Sequence, residues 1–72
     1  MGYEIFINYE DDLLEIVKTP SKPPVIEIEG KYGVVFWKDI NDNTVRITIP
    51  EPTILFGVRL EDIESFLISN NF

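Results

Sequence analysis

The stretch Thr44-Val45-Arg46-Ile47-Thr48-Ile49 alternates apolar and polar residues without a break, and Pro50-Glu51-Pro52 stops it. A period of two is the signature of a strand with one buried face, here carrying Val45, Ile47 and Ile49. Ten residues later the period changes. Leu60, Ile63, Phe66 and Leu67 recur at helical spacing over about two turns. Glu61, Asp62 and Glu64 stand near the start of that segment, where carboxylates favour the helix dipole, and Asn70 and Asn71 can end it. No good N-cap residue fixes its start. This late switch of period sets the fold class.

The remaining strands are marked by apolar runs between turn residues. Tyr3 to Asn8 alternates, with Tyr3, Ile5 and Ile7 on one side and Glu4, Phe6 and Asn8 on the other. Glu10-Asp11-Asp12 supplies a turn, because Asp bonds nearby backbone and tolerates turn geometry. Leu13 to Val17 completes a hairpin. Thr19-Pro20-Ser21-Lys22-Pro23-Pro24 breaks the pattern: its prolines remove ladder donors and fix φ, so it runs extended as a connector. Val25 to Glu29 forms a third strand, and Gly30-Lys31-Tyr32-Gly33 a tight turn. Val34 to Lys38 is a fourth strand, apolar on both faces, with Val34 and Phe36 opposite Val35 and Trp37. Asn41-Asp42-Asn43 turns the chain into the strand at Thr44. Ile54 to Val58 is expected as a short edge strand or an extended return.

The expected architecture is α+β: an antiparallel β-meander of about five strands with one C-terminal helix packed on a sheet face. All 72 residues form one domain, strand-rich over 3–58 and helical over about 59–69. A domain of this size buries only roughly 60% of the surface its unfolded chain exposes. Such scaffolds usually rely on a disulfide, a metal, self-association or very good packing. The chain has no Cys and no His, which removes disulfides and the usual zinc ligands. No metal and no cofactor is expected.

The formal net charge of −7 argues against nucleic acid, whose phosphates are bound mainly through Lys and Arg. No apolar run approaches the ~18 residues of a membrane span, and Met1-Gly2-Tyr3-Glu4-Ile5 has no signal-peptide pattern. Phe6 stands where a myristoylation signal wants Ser or Thr. The expected localisation is cytoplasmic.

Candidate chemistry is sparse. Ser21, Ser65 and Ser69 have no context resembling a nucleophile elbow. Glu10, Asp11 and Asp12 crowd one turn, and a carboxylate-dependent hydrolase built on them is the only enzymatic reading, set aside because so small a sheet has little room for a cleft. Asp39 to Asn43 opens like a calcium loop, but Thr44 stands where the loop needs Gly and Pro50 where it needs Glu. A hairpin turn explains those residues. No catalytic residue is assigned.

Phe6, Val35 and Trp37 are the candidate interface. One helix covers one sheet face, so large apolar side chains on the other mark a contact surface, unless they belong to the helix-covered core. The expected function is a small non-enzymatic protein-interaction module, its partner another protein or a second copy forming a homodimer through the Trp37 face. The alternative is an antitoxin-like neutraliser of a small basic toxin, its acidic turn and edges meeting the toxin.

Three pieces carry a family resemblance: Tyr9-Glu10-Asp11-Asp12-Leu13-Leu14-Glu15-Ile16, then Val34-Val35-Phe36-Trp37-Lys38-Asp39, then Arg46-Ile47-Thr48-Ile49. In this order they resemble a small prokaryotic domain of unknown function, number 2283, over residues 5 to about 53. The chain departs from that pattern in a shorter first turn and a second turn without its usual Gly. The family has no established activity to carry over. Some of its members look like partners of small toxins, which is the implication that bears on the neutraliser reading.

Overall fold

The computed structural model describes residues 2–70. They form one five-stranded sheet, two α-helices and a short 3-10 turn at Lys31–Gly33. The strands are β1 (Gly2–Asn8), β2 (Leu13–Thr19), β3 (Ile26–Glu29), β4 (Val35–Lys38) and β5 (Thr44–Pro50), and the helices are α1 (Pro52–Phe56) and α2 (Leu60–Ser69). Every pairing is antiparallel, and the strand order is β1-β2-β5-β4-β3. The α+β sheet with its C-terminal helix is as the sequence predicts. The order shows two meandering runs, β1–β2 and β3–β4–β5, with β5 inserted beside β2.

The proline segment makes that order feasible. It leaves β2 at Thr19 and delivers the chain to β3, three strand positions away. Three spacings amount to about 14 Å, and six residues of extended chain reach about 19 Å. The connector passes the β4–β5 turn, where Pro20, Ser21 and Lys22 share a shallow depression with Asp39, Asn41 and Asn43.

That turn is organised by Asp39, which is only 5% exposed. Its Oδ1 accepts the backbone N–H of Asn41 and of Asn43, each at 2.9 Å. The N–H of Asp39 returns to the Asn43 carbonyl at 3.0 Å. The β1–β2 turn is held in a similar way. Asn8 Oδ1 accepts the Asp11 N–H, and Asn8 Nδ2 donates to Asp11 Oδ2, both at 3.0 Å. Asp12 and Asp42 take positive φ, of 51° and 66°, at these two turns, a conformation Asp tolerates better than most residues.

Residues directly opposed in an antiparallel pair share a face. Ile5 opposes Ile16, Ile7 opposes Leu14, and Leu14 and Ile16 oppose Ile49 and Ile47. α2 lies on this face: Leu60, Ile63 and Leu67 close on Leu14, with Ile5, Ile7 and Ile49 packed around them. Each such burial contributes about 1.5–3 kcal/mol. No side chain caps the start of α2 at Arg59. At its end, Asn70 Nδ2 donates to the Phe66 carbonyl at 2.7 Å. Asn71, the second residue expected to end the helix, lies outside the described residues.

One expectation is overturned. Ile54 to Val58 is not a strand or an extended return; Pro52 to Phe56 is a helical turn, and residues 57–59 lead into α2. The reason is in the flanking residues. Pro52 stands at the first helical position, where its missing N–H costs nothing, and Gly57 takes φ 68° at the end. Thr53 Oγ1 donates to Asp12 Oδ2, and the Glu51 N–H donates to the Asp12 carbonyl at 2.8 Å. These bonds fasten α1 to the β1–β2 turn and send the chain back over the sheet. The fourth strand also begins one residue later than its apolar run, because the Val34 N–H returns to the Lys31 carbonyl inside the turn.

Candidate interaction surface

The sheet face opposite α2 is built from the other half of each strand. Register places Phe6, Glu15, Thr48, Val35 and Glu29 in one row across all five strands. The next row is Glu4, Val17, Arg46, Trp37 and Glu27. The three residues singled out from the sequence therefore stand on one face, and it is the face without the helix. Val35 and Trp37 are neighbours on β4. Phe6 lies across β5 and β2 from Val35, about 14 Å away.

A polar seam runs between them. Trp37 Nε1 donates to Thr48 Oγ1 at 3.0 Å, and Thr48 Oγ1 donates to Glu15 Oε2 at 3.1 Å. Arg46 Nε sits 3.7 Å from the same carboxylate oxygen. The indole is thus fixed in orientation, half-buried, with its N–H satisfied within the sheet. The two rows carry four carboxylates (Glu4, Glu15, Glu27 and Glu29) against one guanidinium, Arg46.

The acidic turn serves the fold. Asp11 is bonded to Asn8 and Asp12 to Thr53, leaving Glu10 exposed. Among the described residues, no three Asp or Glu side chains converge on a point where an ion could sit. Ser21, Ser65 and Ser69 are exposed, and among the described residues none shares a hydrogen bond with a carboxylate. Tyr9 follows β1 toward the start of α2. Its phenol is held above the ordinary value, first by desolvation and then by the Glu64 carboxylate beside it. Asp39 lies below the ordinary carboxylate value, chiefly through the Asn43 N–H it accepts, with Asn41 adding to the effect.

Sequence reasoning missed one concavity. α1 and the β3–β4 turn enclose a shallow groove of about 650 Å³ lined by Tyr32, Pro50, Glu51, Ile54 and Leu55. The Pro52…Gly57 pair, a helix start followed by a helix stop, is the signal that finds it.

No helix among the described residues is long and apolar enough to cross a membrane. No family model matches the chain, and comparison with curated proteins and with solved structures likewise finds no match.

Proposed function

We propose that the chain is a non-enzymatic, cytoplasmic interaction module that receives a basic protein partner on the sheet face opposite α2. The observation that carries this reading is the oriented Trp37 in a field of four carboxylates and one Arg. Tryptophan is enriched among the anchors of interfaces. A surrounding acidic rim attracts a basic surface and repels phosphate backbones. Two copies of this face would repel each other, so the homodimer expected from the sequence is not assigned to it.

The test is calorimetric titration of the chain with small basic proteins encoded beside its gene. Binding should weaken with salt and roughly 30-fold on Trp37→Ala, the effect of losing an anchor worth about 2 kcal/mol. Glu27→Lys, a surface change next to the indole, should weaken it several-fold. Binding indifferent to salt and to both substitutions would remove the proposal. Turnover of a phosphoester, peptide or glycoside that disappears in Glu10→Gln or Asp12→Asn would overturn its non-enzymatic part.

A second reading draws on the same acidic face: the partner is a small toxin whose nucleic-acid site the module covers. The resemblance to the prokaryotic domain belongs to this reading. RNA competing with the module for the partner would distinguish it from simple docking.

A further inference from the structure

We infer that a second copy of this chain pairs with the free edge of β1, antiparallel, with Ile5 of both copies on the two-fold axis. This inference is independent of the basic partner, which uses the sheet face and not its edge.

The sheet has two outer strands, β1 and β3. Edge strands are normally blunted by Pro, by Lys, by bulges or by shortness. β3 has four residues and follows Pro23-Pro24. β1 has seven, contains no Pro, Lys or Arg, and pairs with β2 without a bulge. It is the unguarded edge.

The residue pattern selects β1 for self-pairing as well. A two-fold axis normal to the sheet keeps each side chain on its own face, so residues of like parity oppose each other. Centred on Ile5, the pairing sets Ile5 against Ile5, Tyr3 against Ile7 and Glu4 against Phe6. No like charges face each other. In β3 the residues on the α2-free face are Glu27 and Glu29, so self-pairing centred on Glu27, Ile28 or Glu29 sets carboxylate against carboxylate, which is destabilising, and a centre at Ile26 pairs that one residue of the strand alone.

Pairing at β1 also extends the core. Tyr3, Ile5 and Ile7 stand on the helix side. Ile5 and Ile7 touch the buried cluster yet stay half-open, and Tyr3 is 53% exposed. Two copies bring six such side chains into one row continuous with both cores. A single copy buries only Leu14, Val45, Leu60, Ile63 and Leu67 among its described large apolar residues, with Pro52 beside them. The like net charge of −7 on each copy opposes the union, so salt should strengthen it.

Sedimentation at about 20 mM and about 300 mM salt tests the pairing. The parent should dimerise, more tightly in the higher salt. Phe6→Glu, at a half-exposed position on the α2-free face, sets the introduced carboxylate against Glu4 twice and should weaken dimerisation at least tenfold. Adding Glu4→Lys should restore it. A parent monomeric at all concentrations overturns the inference. A Phe6→Glu chain that dimerises like the parent also overturns it, as does a double variant that stays monomeric.

A second measurement does not depend on those variants folding. The chain lacks cysteine, and directly opposed residues have Cβ atoms within disulfide reach. Glu4→Cys mixed with Phe6→Cys should give a crosslinked heterodimer in preference to either homodimer, and failure to do so overturns the register. Trp37→Ala should leave the dimer intact while weakening the basic partner, so the two proposals fail separately.

Discussion

Asp39 ties the stability of the β4–β5 turn to pH. Its folded value lies below the ordinary carboxylate value of about 3.9, because the backbone of Asn43 and Asn41 donates to the ionised form. The unfolded chain has the ordinary value. A depressed carboxylate contributes stability above its unfolded value and loses it as pH falls through the folded one. Melting temperature should therefore drop as pH falls through the ordinary carboxylate value and below it. Asp39→Asn should melt lower at pH 7 and show a flatter acid limb, and an unchanged acid limb in that variant would exclude this role. Tyr32 makes the opposite case. It holds φ 60° while 77% exposed, a left-handed conformation that costs a non-Gly residue about 1–2 kcal/mol. Tyr32→Gly should recover about 1 kcal/mol in urea unfolding, with the cost of ordering glycine already deducted. A loss of stability would show that the ring's packing in the groove beside Pro50 and Ile54 outweighs the backbone strain.

At the scale of elements, α2 supplies most of the core through three residues, so Ile63→Ala should cost about 2–5 kcal/mol in urea unfolding. α1 hangs on one side-chain bond, and Thr53→Val should cost about 1–3 kcal/mol because Asp12 then keeps a carboxylate without its donor. A value near zero would show that Glu51 and Asp12 fasten α1 through backbone alone. These two helices differ in how far the sequence reveals them. Leu60, Ile63 and Leu67 repeat over two turns and announce a helix. Ile54, Leu55 and Phe56 form an apolar run too short for either period to show, so only Pro52 and Gly57 betray it. The strands are legible for a related reason: Val45, Ile47 and Ile49 alternate over enough residues to fix a face. Parity within β1 and β4 separates Phe6 from Ile5 and Trp37 from Phe36. Which strands lie between Phe6 and Val35 is not legible, because strand order depends on long-range pairing that no local pattern records. Hence the polar seam of Glu15, Thr48 and Arg46 between them comes only from the structure.

For the whole molecule, charge and surface set the terms. Thirteen described large apolar residues, Tyr3 and Phe6 among them, are exposed, while the buried set is small. Part of that surface is the half-sheet beyond α2, where Ile26 and Ile28 stand 54% and 47% exposed on the helix side. The helix covers β1, β2 and β5 and stops short of β3. A fold with this balance should unfold at low denaturant as a single copy and gain resistance with protein concentration, through mass action on the paired state. A urea midpoint independent of concentration over a hundredfold range would count against association of any kind.

The position of β5 has a consequence for synthesis. It is the last strand along the chain and the third across the sheet, hydrogen-bonded to β2 on one side and β4 on the other. A nascent chain that has emerged only to Asn43 holds two hairpins with no strand to join them. The inner edges of β2 and β4 then face solvent, and exposed edges recruit other strands. Ribosomal pausing before Thr44 should therefore expose the chain to aggregation, and release of the next few residues should end that interval by seating β5 between its neighbours.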